Sequence, residues 1–333
     1  MRTDFGTIPV LDFSAFTSPD RFAQARLIRD LDRACREVGF FYLTGHGVDW
    51  SKVEAVQTAA RSFFALPFAA KAQVTTAHSR DHRGYRRYGP DGMHPTLDEA
   101  RREGFEMGRE LPPNDPRVLA GQRLHGPNQW PRGCQILQES MSSLYQAMED
   151  LAQRFMPALA LAMGLERQAL DHATWDCLGH LRVLRYPPRA ASGDGESTGY
   201  PPHTDPGCLS FLVQDQVGGL EVQNARGEWI AVPHLPGAFV VNTGDLLGRW
   251  SNDSYQSARH RVSNPSDRYR YAIPFFFDPS YDTLVEPLPP FVDARNPARY
   301  PPILAGDYLA DVRDGLPDPG TRMPPYVAQA GAD

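Results

Sequence analysis

Leu181–Tyr186 (LRVLRY), Cys208–Gln214 (CLSFLVQ), Leu220–Gln223 (LEVQ), Trp229–Val232 (WIAV), Phe239–Asn242 (FVVN), Gln256–Val262 (QSARHRV) and Tyr271–Phe277 (YAIPFFF) are seven short runs separated by turn residues. Each is rich in β-branched or aromatic side chains, and this spacing predicts a β-sandwich or barrel. Upstream the pattern changes. Gln135–Met163 carries apolar residues at helical spacing and predicts one long helix. Phe22, Ala25, Ile28, Leu31 and Cys35 predict a helix after Ser18-Pro19, ended by Gly39. Ser51 and Glu54 form a capping-box pattern before a second helix that ends near Leu66-Pro67. Ile8–Phe13 and Phe40–Leu43 read as strands. Residues 78–133 are polar and rich in Gly, Pro, His and Arg, so loops and short turns are expected there, acting as a lid. The expected fold is mainly β with α: a β core with supporting N-terminal helices. The expected organisation is an N-terminal mixed α/β region (1–175), a core (176–285) and a proline-rich C-terminal extension (286–333).

The chain has 333 residues, enough for one large or two ordinary domains. Hydrophobic content of 41% and charged content of 22% exclude a disordered chain. A net charge of −6 argues against nucleic acid or an anionic membrane surface as the main partner. All but two of the 34 basic residues are arginine, the exceptions being Lys52 and Lys71. Cys35, Cys134, Cys177 and Cys208 form no CxxC motif, and free thiols in a cytoplasmic protein are the plain reading. The first residues, MRTDFGTIPVLDF, lack the apolar core of a signal peptide. The longest apolar run, Phe155–Leu165, is too short to span a bilayer and contains Pro157. A soluble, cytoplasmic protein acting on a small molecule, as a monomer or weak homodimer, is expected.

The chemistry concentrates at Pro201-Pro202-His203-Thr204-Asp205. In an extended segment, residues two apart share a face, so His203 and Asp205 can meet one ion. His260, on a separate predicted strand, is the candidate third ligand. Two histidines and one carboxylate on one face of an octahedral ion leave three adjacent positions open, the arrangement of non-haem Fe(II) oxygenases. The same set suits catalytic zinc. Arg270 favours iron chemistry, because its planar fork pairs with a carboxylate and a dicarboxylate could bridge metal and arginine. His46, His78, His82, His94, His125, His172, His180 and His234 are read as capped or surface residues.

At this point the sequence resembles the isopenicillin N synthase-like branch of the 2-oxoglutarate- and Fe(II)-dependent dioxygenases. The resemblance spans residues 8–285 and rests on IPVLDF, REVGFFYLTGHGV, FFALP, HGPNQWP, LRVLRYPP, HTDPGCLSFLVQDQVGGLEVQ, GEWIAVP, GAFVVNTGDLLGRWSND and HRVSNPSDRYRYAIPFFFDP. It implies a distorted double-stranded β-helix, or jelly roll. It implies His203, Asp205 and His260 as iron ligands and Arg270 as partner of the distal carboxylate of 2-oxoglutarate. Tyr186 matches a position that assists that carboxylate, and Arg182 one near the cosubstrate in ethylene-forming relatives. Asn242, Gly244 and Asp245 match a strand-and-turn motif read as structural. The family pattern is Arg-x-Ser, but this chain has Ala272 at the serine position.

The implied reaction is oxidation of an unactivated C–H bond of a small molecule with 2-oxoglutarate and O2, releasing succinate and CO2. Hydroxylation is the usual outcome, with desaturation or cyclisation as variants in secondary metabolism. The alternatives are an Fe(II) oxidase that uses no 2-oxoglutarate and, more remotely, a non-catalytic metal-binding module. Tyr85, Arg86, Arg87, Phe105, Met107, Phe275 and Phe277 are the candidate substrate residues, with core packing as the bland reading of the aromatics. Arg86 and Arg87 are candidates to receive an acidic substrate group, against plain surface solvation.

Overall fold

Two β-sheets face one another, and helices cover the outer face of the larger. The computed structural model describes residues 3–89, 92–93, 102–188 and 199–316. In chain order the strands are β1 (Val10–Asp12), β2 (Phe40–Thr44), β3 (Gly84–Gly89), β4 (Gly92–Met93), β5 (Arg102–Gly108), β6 (Cys177–Tyr186), β7 (Gly199–His203), β8 (Leu209–Gln214), β9 (Leu220–Gln223), β10 (Trp229–Val232), β11 (Phe239–Thr243), β12 (His260–Ser263) and β13 (Arg270–Ser280). The larger sheet runs β1-β2-β11-β8-β13-β6-β5-β3-β4, and the smaller runs β10-β9-β12-β7. Phe40, Tyr42 and Val240 of the first pack with Leu220, Val222 and Val232 of the second. This is the expected jelly roll.

The supporting helix spans Gln135–Ala162, in agreement with the helical spacing. Leu137, Met141, Leu144, Met148, Leu151 and Phe155 recur every three or four residues and are all buried. Phe155 meets Phe41 at 6.1 Å and Phe211 at 6.0 Å, and Tyr145 meets Phe275 edge-on at 5.5 Å. Burying each such ring contributes roughly 1.5–3 kcal/mol. The two N-terminal helices, Arg21–Glu37 and Trp50–Phe64, begin one or two residues away from the expected caps. Asp20 accepts from Phe22 N and Asp49 from Ser51 N, so aspartates hold the helix starts.

β3, β4, β5 and β7 were hidden in the sequence. β7 contains Pro201 and Pro202, which normally argue against a strand, but it is the edge of the smaller sheet, where a missing donor is tolerated. β3 and β5 lie in the polar segment expected to be loops and a lid. They instead extend the larger sheet, β5 pairing with β6 and β3 with β5. The reason is charge pairing. On the helix-covered side, Glu103 accepts from Lys71 Nζ at 2.8 Å and Tyr85 Oη at 2.6 Å, and pairs with Arg185. Lys71 is 2% exposed, so this polar sequence lies buried. Residues 90–91 and 94–101 of the expected lid, with His94, lie outside the described residues, as do 189–198 of the expected core and 317–333 of the C-terminal extension. β12 is shorter than the predicted Gln256–Val262 run and starts at His260.

Candidate active site

His203 ends β7 and His260 begins β12, and the two residues pair across the antiparallel ladder. Their rings lie 4.2 Å apart. Asp205 sits in the turn after β7. Its Oδ1 is 3.8 Å from Nε2 of each histidine. One ligand atom from each of the three residues lies within 4.8 Å of the others. The Nδ1 of His203 is 2.9 Å from Pro201 O, and that of His260 is 3.0 Å from Ala258 O. Each Nδ1–H donates to a backbone carbonyl, which leaves the Nε2 lone pairs directed at the shared space. The other carboxylate oxygen, Asp205 Oδ2, accepts from Ser210 Oγ at 2.6 Å and Asn242 Nδ2 at 2.7 Å.

Electrostatics agree with this geometry. Burial opposes ionisation of Asp205, but the charges of His260 and His203 and the bonds from Ser210 and Asn242 outweigh it and hold the carboxyl below its usual range. His203 is pushed down to about 4, chiefly by burial and then by His260. One carboxylate oxygen and two imidazole nitrogens therefore converge, a donor set that suits a divalent ion with open positions. The turn is tight: a Cβ on Gly244 would lie 2.2 Å from Gly207 O, so glycine is required for the chain to pass Asp205. Asp245 N then donates to Asp205 O at 2.8 Å, and Asp245 Oδ2 accepts from Thr204 Oγ1 at 3.2 Å.

Arg270 starts β13 opposite Tyr186 on β6. It is fully buried, and its guanidinium carbon lies 4.8 Å from the centroid of the Tyr186 ring. Nε donates to Gly218 O, while Nη1 and Nη2 have no hydrogen-bond partner among the described residues. A buried guanidinium with two open nitrogens is costly, and a carboxylate presenting two oxygens satisfies both. Ala272, in place of serine, packs with Leu184 and Tyr186 and offers no hydroxyl.

The remaining sequence candidates divide by strand parity. Arg182 shares the Tyr186 face of β6, at ~13 Å from it along the strand. Its Nε donates to Glu106 Oε2 at 3.1 Å, so it pairs with protein and sits apart from Arg270. Arg86 is half-buried on the same side of the sheet. Tyr85, Phe105, Met107, Phe275 and Phe277 are core residues, contrary to the pocket expectation, because odd spacing from Arg86, Glu106 and Arg270 turns them toward the helices. Arg87 goes with them: it is buried, donates to Tyr85 Oη at 3.2 Å and stacks on Phe68. Phe276, at even spacing from Arg270, takes the inward place.

Sequence reading missed Ser210 and took Asn242 as structural only; the two hold the Asp205 carboxylate from two strands of the opposite sheet. It also missed His180, expected at the surface but fully buried. His180 Nε2 lies 2.8 Å from Glu106 Oε2, and Arg83 Nη1 lies 3.1 Å from its Nδ1.

Comparison with known proteins follows the same outline. Residues 8–133 match the family model of the non-haem dioxygenase in morphine synthesis N-terminal region, and 178–279 match that of the 2OG-Fe(II) oxygenase superfamily. A 2-oxoglutarate-Fe(II) type oxidoreductase of Emericella nidulans (hxnY) is 36% identical over 306 residues, covering 90% of this chain and 88% of its own. The homoarginine-6-hydroxylase 2-ODD-C23 of Glycine max is 34% identical, with 86% and 90% covered. The full-length T7H of Neurospora crassa, solved with alpha-KG and 5-formyluracil, superposes with a TM-score of 0.80 at 28% identity, over 94% of this chain and 98% of that one.

Proposed function

The chain belongs to the 2OG-Fe(II) oxygenase superfamily, and from that premise we propose that His203, Asp205 and His260 hold its Fe(II) while Arg270, with Tyr186 beneath it, seats the distal carboxylate of 2-oxoglutarate. The protein is a 2-oxoglutarate-dependent dioxygenase using Fe(II), 2-oxoglutarate and O2. When bound, the iron couples oxidative decarboxylation of 2-oxoglutarate to attack on a C–H bond of a small molecule, with succinate and CO2 as co-products. The rest is done by the protein. The backbone carbonyls of Pro201 and Ala258 fix the two imidazoles in the tautomer that presents Nε2. Ser210 and Asn242 aim Asp205 Oδ1 at the same point. Arg270 would hold the distal carboxylate of the cosubstrate through Nη1 and Nη2.

The observation that carries this assignment is the convergence of three ligand atoms within 4.8 Å. Hydroxylation is the proposed outcome, desaturation or cyclisation being its variants. Placement in the isopenicillin N synthase-like branch rests on the ordered motifs from residue 8 to 285. The proposed organisation keeps a 176–285 core, a 1–175 region that supports it and an extension from 286, although β1, β2, β3 and β5 of the first region join the main sheet. Among the described residues no helix is long and apolar enough to cross a membrane. A cytoplasmic protein, monomeric or weakly dimeric, is proposed, and the net charge of −6 argues against nucleic acid or an anionic membrane surface as its main partner.

Arg270→Ala tests the cosubstrate assignment. Each lost bond to a charged group costs ~1.5–3 kcal/mol, so the 2-oxoglutarate KM should rise at least roughly tenfold to a hundredfold. Succinate release measured against 2-oxoglutarate concentration reads this directly. An unchanged 2-oxoglutarate KM would make Arg270 an anchor for the prime substrate instead.

A further inference from the structure

Three arginines converge on one histidine beside the metal ligands, on the face of the larger sheet that looks toward the smaller. His180 of β6 is fully buried, and its Nε2 lies 2.8 Å from Glu106 Oε2, so Nε2–H donates to that carboxylate. Only the Nδ1 lone pair is left to accept. Two guanidiniums compete for it: Arg83 Nη1 lies 3.1 Å away and Arg313 Nη1 3.4 Å. Arg182 stands at the other nitrogen, where its Nε donates to Glu106 Oε2 at 3.1 Å. Arg313 ends the helix Ala305–Arg313, which Arg123 pins through Asp307 and Asp311, so the fold fixes its place. Burial holds the pKa of His180 well below its usual value, and the charge of Arg313 adds to this, so the ring is neutral.

Donors therefore outnumber acceptors around this ring. Arg83 is buried; its Nη2 donates to Leu124 O at 2.9 Å, and its Nε has no partner among the described residues. Among those residues Arg182 hydrogen-bonds through Nε alone and Arg313 through Nη1 alone. Neither Arg83 nor Arg313 forms an ion pair there. The Asp278 carboxyl, on the same face of β13, accepts from Cys208 N at 2.8 Å and pairs with no arginine among the described residues. The pKa of Arg313 is pushed down to about 10, first by burial and then by Arg182 and Arg83. A carboxylate relieves this crowding, because its two oxygens accept from open N–H groups and its charge offsets the repulsion.

Register sets the cluster beside the metal ligands. Ser210, which holds Asp205, pairs with Phe276, and Phe276 pairs with His180. The row from Ser210 through Phe276 to His180 crosses two strand spacings, roughly 10 Å. Phe276 is half-buried, and the Arg182 guanidinium carbon lies 5.0 Å from the centroid of its ring. An aromatic surface thus lies between the arginines and the residue that holds Asp205.

We infer that the prime substrate is a carboxylic acid whose carboxylate is received by Arg182 and Arg313 and whose apolar or aryl body lies on Phe276, reaching toward the metal ligands. This rests on the iron and 2-oxoglutarate reading above and names the substrate class for that site. Arg182 and Arg313 set specificity; Arg270 remains the cosubstrate's.

The test is equilibrium binding, without oxygen, to the protein loaded with Fe(II) and saturating 2-oxoglutarate, which keeps the probes away from Arg270. The probes are hexanoate, benzoate, phenylacetate and hydrocinnamate, each with its matched primary amide and amine. The best acid should bind at least about tenfold more tightly than its amide and amine. Arg313→Gln and Arg182→Gln should each erase that preference, and Arg313→Lys, which keeps the charge, should retain part of it. In the same samples, 2-oxoglutarate affinity and melting temperature separate loss of the anion contact from loss of the fold. Tighter binding of the amines would place the anchor at Asp278 or Glu106 and overturn the proposal. So would an equal weakening of acid and amide, the mark of a structural role, or an unchanged preference in both glutamine variants. So would a wild type that binds none of the acids. A protein that binds no 2-oxoglutarate would fail the earlier reading instead, and that arm is scored independently.

Discussion

The two faces of the larger sheet share the same strands and have opposite characters. Toward the helices, β5, β6, β8 and β13 present Phe105, Met107, Leu181, Val183, Phe211, Ile273, Phe275 and Phe277, all within one apolar core. Toward the smaller sheet, the alternate residues are Arg102, Glu106, Arg182, Tyr186, Ser210 and Arg270. A strand turns successive side chains to opposite sides, so stability and chemistry are interleaved residue by residue along one chain. A one-residue slip in register would exchange them, and both would fail together. Changes on one face should therefore act on folding and changes on the other on ligands.

The largest expected effect is on the ligand face. Asp205→Ala removes the anionic ligand, and iron content should fall beyond the roughly hundredfold loss typical of an outer hydrogen-bond partner. Metal analysis after dialysis reads this. Retention of a full iron complement would move the metal away from this triad. On the helix face, Phe275→Ala leaves a cavity against Tyr145 and should cost ~3–5 kcal/mol of stability in denaturant unfolding. Its 2-oxoglutarate affinity should hold; a comparable loss of affinity would break the division between the faces.

Asp278 sharpens the comparison through pH. It is fully buried, and its carboxyl is pushed up to about 6 by burial, against the bond from Cys208 N and the charge of Arg313. The folded state thus holds this proton more tightly than the unfolded chain. Its contribution to stability is complete below the ordinary value of 3.8 and is lost as pH rises through about 6. Asp278→Asn removes that loss, and the difference between variant and wild type should change by ~3 kcal/mol across the window. Parallel unfolding curves would assign the pH dependence elsewhere. The smallest effect is expected at Ala272→Ser. A hydroxyl two residues from Arg270, on the same face, should tighten 2-oxoglutarate by up to about tenfold. Unchanged affinity would show that the serine does not reach.

The seven strand runs and the long helix were legible because apolar periodicity is local. The candidate metal triad was legible because His203 and Asp205 stand two apart in an extended segment and His260 adjoins another β run. β3 and β5 were not, because their charged residues read as solvated until Lys71 and Arg185 are seen to pair with Glu103, and Arg182 with Glu106, in the interior. The misplacement of Phe275 and Phe277 had a signal that could have prevented it: once Arg270 faces the site, parity sends both to the helices.

By itself, the sequence determined the type of most main elements, the donor set of the proposed metal site and Arg270 as the arginine proposed for a dicarboxylate. These depend on residue type and short spacing. Only the tertiary structure decided that His203 pairs with His260 and that Ser210 and Asn242 reach across from the opposite sheet to hold Asp205. Each of these depends on which strands become neighbours and in what register. Register is settled by burying one face of every strand at once, and no local stretch of sequence contains that constraint.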